Sequence, residues 1–214
     1  DLPFVRSIMP GVRATLDAFE RFTHADGLLY GPEGWNTFDW VPAWDADAGV
    51  PPDGHSGASG PLNWQLVYTL LQGADLEERL GESLLAQYCR GRAVKLAQAA
   101  TRAFWDEPRG MFADDLAHQH FSEHAQCMAL LSEFLLPGLL DPRIAERAAE
   151  GLLSAPDLSR ATIYFSHYLF ETYRHLGRVD RLLERLGLCD QLLALGQAEL
   201  ARLRGELPVG LELH

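Results

Sequence analysis

Apolar residues recur at helical spacing along most of the chain. From Leu2 to Thr23, the residues Phe4, Ile8, Val12, Leu16 and Phe19 fall roughly on one face, and Gly27 follows as a stop. Pro10 and Gly11 stand where that helix would kink or split. Pro61 to Leu80 predicts a second helix ending at Gly81, and about Ser83 to Trp105 a third. Ser122 reads as the N-cap of SEHAQCMALLSEFLL, which Pro137 and Gly138 stop. Asp141-Pro142 opens the next helix, with proline in its first turn. Ala161 to Leu176 predicts another, ended by Gly177, and a last one runs from Val179 to Leu186 and beyond. No segment alternates convincingly with the two-residue period of a strand.

The connections alternate in length. Leu80-Gly81-Glu82, Pro137 to Pro142 and Leu176-Gly177-Arg178 join helices tightly. About Ala25 to Gly60, Asp106 to Phe121 and about Ser154 to Ser159 are loops between the pairs. Tight turns then fall at one end of the array and loops at the other, with a helical hairpin of about 40 to 50 residues as the repeat. Helices that start after the long loops, such as those holding LVYTLL and IYFSHYLF, are the more apolar and predict an inner layer. Their partners, holding ERAAEGLL and RLLERLGL, are amphipathic and predict an outer one. The fold class expected is all-α, an (α/α) toroid of hairpins with its site at the long-loop rim.

With 214 residues, 47% of them hydrophobic, the chain can bury a sizeable core. A net charge of -12 argues against nucleic-acid partners and against docking on an anionic membrane. No apolar run is long enough to span a bilayer. Cys89, Cys127 and Cys189 are widely spaced in apolar stretches, so they read as buried thiols in a reducing, cytoplasmic setting. No signal-peptide pattern is read in the stretch that opens at Asp1.

Five clusters could carry chemistry. GPEGWNTFDWVPAW holds Trp35, Asp39, Trp40 and Trp44. Indole faces stack on the C–H faces of sugars and carboxylates accept sugar hydroxyls, so this loop reads as a carbohydrate platform, or else as aromatic packing of a loop on helix ends. Asn63 stands in the first turn of its helix, where it either meets a ligand or caps. DDLAHQHFSEHAQ gathers Asp114, Asp115, His118, His120, Glu123 and His124. These residues suit a sugar-binding acid/base cluster, a zinc site without a recognised ligand spacing, or solvated histidines with Glu123 favouring a helix N-terminus. In RATIYFSHYLFETY, Tyr164 and His167 or Tyr168 face a central cavity or pack in the core. DADAGVPPDG has the aspartates of a calcium loop, Asp45, Asp47 and Asp53, in the wrong order for an EF-hand. The P-loop, GxGxxG, GxSxG and CxxC patterns are all missing.

In order, the segments DGLLYGPEGWNTFDWVPAW, PLNWQLVYTLLQGADLEERLG, AFWDEPRGMFADD, SEHAQ and ATIYFSHYLFETYRHLGRVD resemble the six-hairpin catalytic domain of glycoside hydrolase family 78 α-L-rhamnosidases. The likeness covers about Asp1 to Gly196, and leaves residues 197–214 as a divergent C-terminal helix or tail. It implies part of an (α/α)6 toroid, no cofactor, and inverting hydrolysis of terminal α-L-rhamnosides. Inversion needs an acid and a base about 6.5–9.5 Å apart. The family's acid lies upstream in an Arg/Asp/Glu-rich segment that nothing here matches. Its base follows a Trp downstream, whereas neither Glu199 nor Glu206 does.

Within the chain, Asp39 and Glu123 are therefore the candidates for catalytic work. Trp35, Trp40, Trp44, Asn63, His120, His124 and Tyr164 are the candidates for holding a rhamnoside, with no metal. A partial ring leaves inner helices uncovered, which predicts self-association or a larger whole. The alternative function is a non-catalytic helical-repeat scaffold that binds carbohydrate or a partner protein.

Overall fold

The computed structural model describes residues 1–187. They fall into a compact unit, Asp1–Thr172, and the start of a second that opens at Tyr173. Six named helices follow in order: α1 (Leu2–Ala18), α2 (Gly60–Arg79), α3 (Ser83–Phe104), α4 (Glu123–Leu135), α5 (Pro142–Ser154) and α6 (Ser166–His175). Between α3 and α4, the two-residue strands β1 (Trp105–Asp106) and β2 (Met111–Phe112) pair antiparallel. The described residues are all-α apart from this short hairpin, which the hydrophobic pattern did not announce. Two residues per strand are too few for a period to show.

Capping and packing explain the helix bounds. Ser122 accepts the Ala125 N–H and starts α4, and Asp141 accepts the Arg143 N–H and starts α5. Expected to kink or split at Pro10, α1 runs through it, with the ring on the exposed side. It ends at Ala18, and a 3-10 turn (Phe19–Phe22) completes the stretch expected to be helical to Thr23. The sixth helix begins at Ser166 rather than Ala161, because residues 161–165 are committed to loop contacts described below. Gly81, in the tight turn after α2, takes φ +84°, a value that side chains with a Cβ rarely adopt.

Within the first unit, α2 packs on α3 and on α4, and α4 on α5. Burial follows the expected layers in α2, α4 and α5, whereas IYFSHYLF, expected to be inner, buries Phe165 and Leu169 and leaves Ile163 and Tyr164 exposed. In α4, Glu123 through Ser132 are all buried, while α5 buries only Ala148 and Leu152. Along α3, Ala86, Ala93, Ala97 and Ala100 are fully buried at helical spacing, and such small side chains admit a close approach to α2. Burying a side chain the size of Met128 or Leu130 in α4 contributes roughly 1.5–3 kcal/mol.

In the second unit, residues 179–187 are helical, and Arg178 makes a two-pronged ion pair with Asp180. Gly177 takes φ +68° in the turn before them. Cys189, Glu199, Glu206 and the expected tail 197–214 lie outside the described residues.

Candidate functional site

The site is built from the loops at the N-terminal ends of α2, α4 and α6. The first, residues 23–59, is ordered by its own polar groups. Thr23 bridges Leu29, and the Asn63 side chain grips Leu29 from α2. Its Oδ1 accepts the Leu29 N–H at 2.8 Å and its Nδ2 donates to the Leu29 carbonyl at 2.9 Å. Nδ2 also donates to the Ser59 carbonyl at 2.8 Å. Asn36 Nδ2 ties the carbonyls of Pro32 and Gly54 together. Phe38, Val41, Trp44 and Val50 turn inward and are buried.

At the centre of this loop Asp39 is fully buried and its two oxygens are shared among four donors. Oδ2 lies 2.7 Å from His124 Nε2 and accepts the Thr162 N–H at 2.8 Å. Oδ1 accepts the Trp40 N–H at 2.8 Å and a short hydrogen bond from the Thr162 hydroxyl. Burial would raise this carboxyl's pKa. The bonds from His124 and Thr162 outweigh it and hold the group below the ordinary value. An ionised Asp39 is acceptor-only, so His124 Nε2 carries the proton. His124 is itself wrapped in rings. Its centroid lies 4.4 Å from Phe165, 4.6 Å from Trp44 and 5.7 Å from Phe38. The network thus joins the loop, the first turn of α4 and the segment before α6.

Above it the surface is aromatic. Trp35 is 60% exposed and Trp40 49% exposed, and their rings meet edge to face at 5.9 Å. Trp35 Nε1 donates to the Ala48 carbonyl at 3.0 Å, which fixes one indole. Ile163 and Tyr164, 75% and 67% exposed, follow Thr162 directly. Exposed apolar residues on adjoining loops are what a ligand-binding surface needs and what a core would not leave out.

Glu123 is buried at the start of α4, and its Oε2 accepts the Ala161 N–H at 2.7 Å. The Glu123 N–H donates to the Ser159 carbonyl, and the Ser159 N–H to the Phe121 carbonyl. The 155–165 segment is thereby strapped across α4. Beside it, Asp114 accepts the Ser122 hydroxyl at 2.7 Å on Oδ1, and Oδ2 has no partner. Complete burial pushes its pKa up to about 7 against that hydrogen bond.

The sequence candidates therefore separate by depth. Trp35, Trp40 and Tyr164 are exposed and can touch a ligand. Trp44, Asn63 and His124 lie beneath the surface, where each fills or pins the loop from below. Asp39 and Glu123 are likewise buried and hold protein donors. His120 is exposed and 3.5 Å from Asp115. The histidines of DDLAHQHFSEHAQ do not converge. His118, at φ +54°, faces Asp106 and the Ala103 carbonyl, while His124 faces Asp39. Among the described residues no three His, Cys, Asp or Glu side chains gather so as to hold a metal ion, and no helix is long and apolar enough to cross a membrane. Cys89 and Cys127 are buried thiols. Thr162, the second ligand of Asp39, escapes sequence reasoning: a threonine in a loop carries no signal until its partner, far away in sequence, is known.

No protein-family model matches the sequence, and no curated protein matches it. Solved structures do. The chain is similar to the GH78 family rhamnosidase of Bacillus sp. GL1, with a TM-score of 0.72 and 23% identity, over 86% of this chain and 19% of that one. It is also similar to a rhamnosidase from Klebsiella oxytoca with rhamnose bound, with a TM-score of 0.67 and 22% identity, over 86% of this chain and 33% of that one. The chain thus spans about a fifth and a third of the lengths of these two proteins. The likeness establishes the fold as the all-α hairpin fold seen in these rhamnosidases.

Proposed function

We propose that this chain forms part of the carbohydrate-binding rim of a glycoside hydrolase that removes terminal α-L-rhamnose with inversion. The observation that carries the reading is the exposed Trp35–Trp40 pair, anchored from below by buried Asp39 on a frame shared with two rhamnosidases, one of them holding rhamnose. Indole faces supply apolar contact for a deoxysugar, and exposed Tyr164, on the segment tied to Asp39 through Thr162, adds a polar group. Asp39 and Glu123 serve this rim as anchors. To act as a general acid or base, either would have to exchange a protein donor for the substrate.

The test is aglycone release from a panel of aryl glycosides that includes the α-L-rhamnoside. Selective turnover of the rhamnoside, abolished in folded Asp39→Asn or Glu123→Gln, assigns the chemistry to these carboxylates. Turnover of a different glycoside instead would sink the rhamnoside reading. The second reading, a binding piece without catalysis, is favoured by the internal commitment of both carboxylates. It expects L-rhamnose to perturb tryptophan fluorescence while no member of the panel is cleaved.

A further inference from the structure

An uninterrupted hydrogen-bonded path joins the loop bearing exposed Trp40 to the segment bearing exposed Tyr164. The Trp40 N–H donates to Asp39 Oδ1, the Thr162 hydroxyl donates to the same oxygen, and the Tyr164 N–H donates to Thr162 Oγ1 at 3.3 Å. One hydroxyl therefore links the backbone of the tryptophan loop to that of the segment bearing Ile163 and Tyr164. A second, parallel tie is the Thr162 N–H on Asp39 Oδ2, which the side chain of residue 162 does not provide. Phe165 packs at a tilt against Phe38 and His124 and closes the underside. Thr162 is half-buried, so its hydroxyl bonds in a medium where a charge-assisted hydrogen bond is strong.

We infer that Thr162 is a positioning residue, whose hydroxyl orients Asp39 Oδ1 and through it the Trp40 N–H, so holding Trp40 against Trp35 and shaping the saccharide platform. This rests on the carbohydrate reading of that surface. A platform whose tryptophan pair is held in part through this hydroxyl makes residue 162 a determinant of which sugar is accepted although it need not contact one. A valine keeps the shape and the backbone tie and deletes both side-chain bonds. A serine keeps both bonds and drops a methyl group.

The experiment uses two readouts. Indoles 5.9 Å apart couple in far-ultraviolet circular dichroism, and the loss of that couplet in Trp35→Phe assigns it. L-rhamnose titration, followed by tryptophan fluorescence, reports binding. Thr162→Val is expected to keep cooperative unfolding, to change the couplet and to weaken L-rhamnose about tenfold, the scale of one hydrogen bond to a charged group. Thr162→Ser is expected to restore both. Should the valine variant not fold, Thr162→Ala, which demands no extra space, is measured in its place. An unchanged couplet in a folded variant lacking the hydroxyl overturns the inference. A wild-type chain that ignores L-rhamnose, while the couplet still depends on residue 162, overturns the carbohydrate reading and leaves the positioning role in place.

Discussion

At Asp39, burial and hydrogen bonding act in opposite directions on one carboxyl, and bonding wins because His124 and Thr162 supply donors to both oxygens. At Asp114, one hydroxyl donor faces one oxygen and burial wins. The raised pKa has a defined sign. A group whose folded pKa lies above its unfolded value contributes stability below the unfolded pKa, near 4, and loses it as pH rises through about 7. Wild-type protein is therefore expected to lose stability relative to Asp114→Asn between pH 5 and pH 8, read from urea midpoints. Parallel profiles for the two proteins would contradict this. The tryptophans divide in the same way. Trp44→Ala empties a buried site and should cost about 3–5 kcal/mol in chemical denaturation. Trp40→Ala removes an exposed ring and should leave the midpoint nearly unchanged while abolishing the L-rhamnose response.

The helices are held by a few specific ties as well as by area. Arg13 of α1 places Nε and Nη2 each 2.7 Å from a Glu77 oxygen on α2, and Glu77 is buried. Arg13→Ala leaves that carboxylate without its ion-pair partner. The cost should be about 2 kcal/mol, less than the ~3–5 of a fully buried pair because Arg13 itself is partly exposed. Glu77→Gln made together with it should recover part of the loss, and an equal loss in the double variant would argue against the pair. Gly60, at the head of α2, donates its N–H to the Asp114 carbonyl, and a Cβ there would stand 2.2 Å from the Ala113 carbonyl oxygen. Gly60→Ala must push the 113–114 backbone off α2. A thermal midpoint equal to wild type would show that this approach is softer than the geometry implies.

Across the first unit, protection from solvent should follow the layers. Helices α2 and α4 bury residues around much of their circumference, whereas α1 buries only Met9 and Leu16. Amide hydrogen exchange is expected to be slowest in α2 and α4 and much faster in α1, since local opening exposes little apolar surface there. Equal protection of α1 and α4 would mean that α1's exposed Leu2, Phe4 and Ile8 are covered in solution.

Helix order, the three tight turns and the layering of α2 and α5 were legible in the sequence because they depend on local rules. Apolar spacing selects a helix face, Ser122 and Asp141 start α4 and α5, and glycines such as Gly81 supply turns at positive φ. The aromatic loop was legible as a candidate through its composition alone. The depth of each residue was not. Trp35 and Trp44 are the same side chain nine positions apart, one exposed and one buried, and only the loop's path over α2 and α4 separates them. The pairing of Asp39 with Thr162 spans 123 positions, and that of Asp39 with His124 spans 85. Such pairings are set when hairpins pack and bring three loop ends together, and no local pattern in the chain encodes them.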